Sequence, residues 1–299
     1  MSFAAGCPRS RPSSSARSRP GERGWALVSV LWALTMIALM AAATQALTVT
    51  AWQSERHAMV DARASADLDA AVVRAVLGIA DTRPDQHWRT DGVARVFVYD
   101  GLRVRVSVQD ELGRVDLNAA SSSLIRALLV GNGVASDDAS TLADRIADWR
   151  STSGLTSLEG ASDADYHAAG LAYLPRHGPF QTVDEARLVL GMTPALFERI
   201  RPALTVYSKR PAFDPQVAPR EALAALYPAD PGKVDEVLRA RSDGSGLSQT
   251  GAPPSPGVPF GRAFDVTAAL TIGQRTFRRD TVVVPTDDGK RAYFVLAWR

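Results

Sequence analysis

Hydrophobic positions along the chain change their spacing three times. From Trp25 to about Leu47 the residues are apolar apart from Ser29, Thr35, Thr44 and Gln45. No charge interrupts this run, and its length approaches the roughly 20 residues with which a helix crosses a bilayer core. Residues 52 to 80 contain no proline, and Met59, Ala62, Ala66, Leu68, Val72, Val73, Val76 and Leu77 recur near helical spacing, with Arg56, Asp61, Arg63 and Asp67 elsewhere on the wheel. That pattern predicts an amphipathic continuation of the helix. One helix from Trp25 to about Ala80, on the order of 80 Å long at 1.5 Å per residue, satisfies it. Two helices bent near Thr48 to Thr50 also satisfy it.

After Pro84 the period shortens to two. Ala94 to Tyr99 and Leu102 to Gln109 predict a hairpin around Asp100-Gly101, and Val104, Val106 and Val108 alternate with Arg103, Arg105 and Ser107. Three further strands follow at the C-terminal end, Ala263 to Ile272, Thr276 to Val284 and Ala292 to Trp298. Between the two groups the chain reads as helical. Helices are expected up to Val130 behind caps at Asn118 to Ser123, over Asp137 to Trp149, from Thr182 or Asp184 to Leu190, and from Thr193-Pro194 to Ile200. Pro219 to Leu226 and Pro231 to Arg241 add two more, and Ser242 to Gly261, rich in Gly, Ser and Pro, reads as a surface loop. Strands on both sides of a helical block predict one sheet carrying an insertion.

Composition narrows the picture at the N-terminal end. The chain has 299 residues and a net charge of +2. Much of that surplus lies before the apolar run, where Arg9, Arg11, Arg17, Arg19 and Arg23 face only Glu22. The remainder is balanced, which argues against general nucleic-acid affinity. By the positive-inside rule these arginines stay in the cytoplasm and everything after the run lies beyond the membrane. A candidate processing glycine, Gly24, stands before Trp25 and thus before the apolar run. A cut there removes the leader with Cys7, the single cysteine, and leaves the anchor in place. This order resembles type IV pilin-like precursors, although Ser29 occupies the position where most pilins carry glutamate. A cleavable secretory signal ending near Ala41 to Ala43 is the competing reading.

Catalytic patterns are missing from the sequence. His57, His87, His167 and His177 have no zinc-protease spacing, and neither a nucleophile elbow nor a phosphate loop occurs. Trp149, Tyr166, Tyr173 and Phe180 are expected to form the core of the helical block. The stretch Phe180 to Ile200 resembles a helix-hairpin-helix module, which makes a periplasmic DNA-binding protein the alternative function. Its hairpin, Gly191-Met192-Thr193-Pro194, has one glycine and no lysine, and the nearby Arg187, Arg199 and Arg201 lie beside Glu185 and Glu198. Phosphate binding needs free N–H groups and free cations, so nucleic acid is not expected as a partner.

Taken in order, RGWALVSVLWAL, VQDELGRVDLNAA, LADRIADWR, PFQTVDEARLVLGMTPALFERIRPALTVYS, DPQVAPREALAAL and the terminal VLAWR resemble the minor pseudopilin family of type II secretion system protein K, also called general secretion pathway protein K. The resemblance covers nearly the whole chain. It implies an α+β, pilin-like fold: a leader at 1–24, a transmembrane helix at 25–47, its periplasmic continuation at 48–80, and the first part of an antiparallel sheet at 81–112. An inserted all-helical, sterile-alpha-motif-like (SAM-like) region at 113–245, a flexible loop at 246–262 and closing strands at 263–299 complete it. It further implies a non-enzymatic role. Prepilin peptidase would cut between Gly24 and Trp25 and the new N-terminus would be methylated. The single-pass inner-membrane protein would then join minor pseudopilins I and J at the tip of a pseudopilus built of the major pseudopilin, supporting export of folded proteins. Ser29 fits a tip subunit, because a glutamate inside lipid needs the amine of a neighbour above it. Family members can bind calcium in a loop that corresponds here to Asp148, Glu159, Asp163 and Asp165. Ser151 and Ser162 replace acids of that pattern, and calcium takes six to eight oxygens. A reduced calcium site is therefore the one cofactor expectation.

Overall fold

The structure of the chain, a computed structural model, describes residues 22–83, 85–153, 155–242 and 259–298, with the backbone alone for 22–24 and 44–54. The leader up to residue 21 and most of the loop expected at 246–262 lie outside the described residues. The chain divides into two compact units, 1–62 and 63–299. A single helix, α1 (Glu22–Ala80), begins in the first and ends in the second. In the first unit Trp25–Ala43 is a 19-residue run with mean hydropathy 2.2, none of it buried. Its two hydroxyl side chains bond inside the helix, Ser29 Oγ donating to Ala26 O at 3.0 Å and Thr35 Oγ1 to Trp32 O at 2.8 Å. A polar group facing hydrocarbon needs such a partner, and the preceding turn supplies it.

In the second unit α1 lies on an antiparallel sheet. Strands β1 (Arg95–Tyr99) and β2 (Leu102–Asp110) form the hairpin expected from sequence, with Asp100 at φ 47° and Gly101 at φ 75°. Two consecutive positive φ values match the twist of the strands they join. Val104, Val106 and Val108 face inward with Phe264, Val266, Ala268 and Leu270 of β5 (Phe264–Ile272). Against them α1 packs Ala64, Leu68, Ala71, Val72, Ala75, Val76 and Ile79. Strands β6 (Arg275–Pro285) and β7 (Tyr293–Trp298) complete the order β1-β2-β5-β6-β7.

The helical block leaves the sheet at the end of β2 and returns at the start of β5. It contains β3 (Val115–Asp116), α2 (Ser122–Gly131), α3 (Ser136–Arg150), α4 (Asp163–Ala168), α5 (Pro194–Ile200), β4 (Leu204–Thr205), α6 (Arg220–Leu223) and α7 (Pro231–Ser242). Four elements differ from the sequence reading. Strands β3 and β4 pair in parallel, so the block is not wholly helical. Two residues per strand are too few for a period to show. The helix expected at Thr182 to Leu190 is a 3-10 segment, Val183–Leu188, and α4 occupies part of a stretch read as polar loop. The block has its own core, in which Trp149 stacks on Phe180 at 6.0 Å and tilts against Tyr166 at 6.1 Å. Tyr173 departs from the expectation that it belongs to this core. It stays 36% exposed and meets the Tyr166 ring edge-on at 6.1 Å.

A charged junction joins the two cores. Asp110, fully buried at the end of β2, pairs with Arg262, which enters just before β5. Next to it Arg114 Nη1 donates to Glu111 and to Asp265, each at 2.8 Å. Gln109 Nε2 donates to Val217 O at 2.7 Å and Asp214 N to Leu112 O at 2.7 Å, which tie the neck to the far side of the block. Burial pushes the Asp110 carboxyl above the ordinary range, and the Arg262 charge opposes that push. Removing the cation should thus leave a buried carboxylate uncompensated. Arg262→Met is expected to lower unfolding free energy by about 3 kcal/mol at neutral pH, and Asp110→Asn in the same chain should restore part of it. Because the folded pKa of Asp110 is raised, the penalty is present above that pKa and disappears as pH falls through it. Denaturant melts at several pH values check both outcomes; a deficit that grows on acidification contradicts the assignment.

Candidate functional site

Three sets of residues carried chemical expectations, and the structure places each of them. The processing pair comes first. Gly24 and Trp25 lie in the first turn of α1, and the Trp25 side chain is exposed. Ser29 stands one turn further on, its hydroxyl satisfied within the helix.

The four carboxylates of the expected calcium loop do not converge. Asp148, at the end of α3, is buried and holds the following loop through its oxygens. It accepts from Ser157 N at 3.1 Å, Ser157 Oγ at 2.7 Å and Ala161 N at 3.2 Å. Gly160 presses against it so closely that a Cβ there would sit 1.6 Å from Asp148 Oδ2. Glu159 instead accepts from Thr141 Oγ1 at 3.1 Å, and Asp163 meets His177 Nε2 at 2.8 Å. Asp165 closes a capping box on α4, accepting from Ser162 N at 2.7 Å and Ser162 Oγ at 2.6 Å. These bonds hold the Asp165 carboxyl below its usual range, the Ser162 hydroxyl most of all. Among the described residues no three His, Cys, Asp or Glu side chains could share an ion. A cation at Asp148 would have to displace two N–H donors already aimed at its oxygens. The residues present therefore do not fit calcium, and among the described residues hydrogen bonds to Asp148 hold the loop.

The hairpin at Gly191 is equally occupied. Arg145 Nη1 donates to Leu190 O at 3.1 Å, Arg187 pairs with Glu198, and Arg201 Nε lies 3.9 Å from Asp184. Arg199 Nη1 donates to Asn132 O at 2.9 Å. Two of these arginines thus lie beside carboxylates, and two spend N–H groups on backbone carbonyls.

Residues with structural duties that the sequence did not disclose lie in VQDELGRVDLNAA. Besides the junction formed by Asp110, Glu111 and Arg114, Asp116 is buried and accepts from Asn118 N at 2.8 Å, Lys209 N at 2.8 Å and Ser208 Oγ at 3.2 Å. Asn118 exchanges two hydrogen bonds with the Phe180 backbone, at 2.7 and 2.9 Å. Apart from the Asp116–Asn118 and Glu111–Arg114 contacts, their partners stand from 62 to 152 positions away, beyond any local pattern. The string fastens both ends of the helical block.

The fold defines a class: a pilin-like protein, with an N-terminal helix apolar enough for a single-pass anchor and a helical block set into its sheet. Residues 106–209 match the family model described as type II secretion system (T2SS), protein K. The chain is 28% identical over 245 residues to type II secretion system protein K of Pseudomonas aeruginosa, covering 75% of this chain and 73% of that one. It is 28% identical over 248 residues to the protein of that name from Klebsiella pneumoniae, covering 74% and 76%. In fold it is similar to a chain of the crystal structure of the GspK-GspI-GspJ complex from the type 2 secretion system of enterotoxigenic Escherichia coli. The TM-score is 0.56 at 14% identity, over 83% of this chain and 98% of that chain. In sequence and in fold the chain is thus similar to type II secretion system protein K.

The Asp148 geometry carries a prediction. Asp148→Ala should cost about 2–4 kcal/mol, since it strands several buried donors, and should speed hydrogen exchange over residues 151–162. Millimolar calcium or a chelator should leave the melting temperature of the unaltered protein unchanged. A rise of several degrees with calcium would contradict the hydrogen-bonded loop.

Proposed function

We propose that this chain is a non-enzymatic minor pseudopilin of a type II secretion system, placed in a complex at the tip of a periplasmic pseudopilus and supporting export of folded proteins across the outer membrane. The observation that carries the reading is the fully exposed apolar run Trp25–Ala43, on the same helix that packs against a pilin-like sheet. Prepilin peptidase would cleave between Gly24 and Trp25 and leave the run as an inner-membrane anchor, N-terminus inside, with the sheet and helical block in the periplasm. Subunits I and J of the same system would be its direct partners, and the major pseudopilin would continue the filament below. The similar solved chain comes from a complex of proteins with those designations.

Ser29 supports the tip position on physical grounds. A glutamate at this depth would cost several kcal/mol unless a neighbouring amine neutralised it. Ser29 instead closes its own hydrogen bond to Ala26 O and asks nothing of a subunit above. The engaged cations of the Gly191 hairpin give the DNA-binding alternative no comparable support.

Two measurements test the reading. Mass spectrometry of the membrane-extracted protein should find a mature N-terminus at Trp25; a start after Ala43, or an intact Met1, overturns the processing step. Affinity purification of the full chain in detergent, from cells also expressing candidate I and J subunits, should recover both. Recovery of neither, with partners shown to be folded, overturns the tip complex.

A further inference from the structure

The five-stranded sheet has two edges, and they are built differently. At one, β7 carries a bulge: its register with β6 shifts between Val282 and Val283, so that Leu296 stands outside the ladder. Lys290 and Arg291 precede it. Bulges and cations of this kind keep a further strand from pairing with an edge. At the other edge, β1 keeps an unbroken register with β2 over all five of its residues, and Val96-Phe97-Val98-Tyr99 contains no proline, no charge and no bulge. An apolar edge strand left so plain is a template for another strand.

Val96 and Val98 are open in backbone and side chain alike. The two-residue turn at Asp100-Gly101 makes Tyr99 and Leu102 a hydrogen-bonded pair, and pairs of an antiparallel ladder alternate from there. Phe97 and Arg95 therefore direct their backbone groups to β2, while the N–H and C=O of Val96 and Val98 point out of the edge. Their side chains are 52% and 68% exposed. The strand is held still for an incoming chain: Phe97 packs against Trp88 at 6.1 Å, and Asp100, just past the end of β1, pairs with Arg63 at 2.5 Å.

Charge narrows what can pair there. On the face that shows the two valines, Arg105 lies across from Val96 and Arg103 across from Val98. Both arginines are exposed, as is Arg95 at the start of β1, and none of the three forms an ion pair with a described residue. A further strand lies about 4.8 Å outside β1 and thus ~10 Å from β2. Arginine stems laid over the valines bridge that distance to carboxylates on the new strand. A second copy of β1 would bring the same three cations to the edge and be repelled.

We propose that β1 receives, as a sixth strand, an extended segment of another protein whose side chains alternate between acidic and apolar. The acidic set shares the face of Arg103 and Arg105, and the apolar set lies beside Phe97 and Tyr99 on the other. Backbone bonds to Val96 and Val98 supply the hold, and the arginines select the partner. Neither the open edge nor its charges depend on the pseudopilin reading.

The test uses the full chain in detergent and two eight-residue peptides, one alternating valine with glutamate and one alternating valine with lysine. The glutamate peptide at millimolar concentration should slow amide exchange at Val96 and Val98 on the order of tenfold, and the lysine peptide should leave both unchanged. Val98→Pro removes one outward N–H without touching a bond to β2, and should abolish the protection. Arg103→Glu with Arg105→Glu, at exposed positions, should transfer the preference to the lysine peptide at an unchanged melting temperature; if the proline variant loses its fold, the charge reversal alone decides. Equal effects of the two peptides, protection at Phe294 or Val295 of β7 in place of β1, or no protection at all overturns the assignment. Protection of Val96 and Val98 without peptide, rising with protein concentration, identifies a second copy as the occupant and overturns it as well. Each of these results leaves the pseudopilin reading intact.

Discussion

The structure depends on a fully buried carboxylate. Asp110 ends β2, opposite Phe264 at the start of β5, so the chain departs and returns at adjacent positions of one sheet. Closing so long a loop costs entropy that grows only slowly with its length, and the sheet register itself holds the ends together. What the register cannot supply is the angle at which the block stands on the sheet. Arg262 on Asp110, and Arg114 shared between Glu111 and Asp265, fix that angle with hydrogen-bonded charges. Such pairs are costly to bury and more costly to break, and here they lie where two separately packed cores meet.

The same economy of polar groups governs the loop after α3. A carboxylate that collects N–H donors can order a loop as a cation would, without recruiting one. Asp148 does this with Ser157 and Ala161, and Gly160 is needed because the carboxylate lies against its Cα. Serine at positions 151 and 162 is consistent with that solution. Ser162 caps α4 by donating its hydroxyl to Asp165, a bond that an acidic side chain at this position could not supply.

Much of this fold was legible along the chain, and the reasons for success and failure are physical. The anchor, the hairpin at Asp100-Gly101 and the alternating β2 face were readable because each is set by near neighbours: an unbroken apolar run, two residues tolerant of positive φ, a period of two. Thr193-Pro194 announced α5 for the same reason, since a cap and its helix are contiguous. The β3–β4 pair, the Arg262–Asp110 contact and the Asn118–Phe180 exchange were not readable, because each joins residues far apart whose types carry no mutual signature. The carboxylates of the expected metal loop failed in a different way. Asp148, Glu159, Asp163 and Asp165 have the composition of a site, but Ser157, Thr141, His177 and Ser162 each claim one of them first.

Helix α1 shows how one element can answer to two solvents. Between Trp25 and Ala43 it is apolar in every direction, which suits hydrocarbon. From Arg63 onward it is apolar on the face that meets the sheet, which suits a soluble domain. A second apolar stripe, Ala66, Ala70, Val73 and Leu77, follows from neither requirement. Lipid does not require it, because acidic and basic side chains share those turns, Asp67, Asp69 and Arg74 among them. The sheet does not require it either, because it lies on the opposite side of the helix. Exposed apolar stripes beside a rigid aromatic wall are uncommon on proteins that work alone.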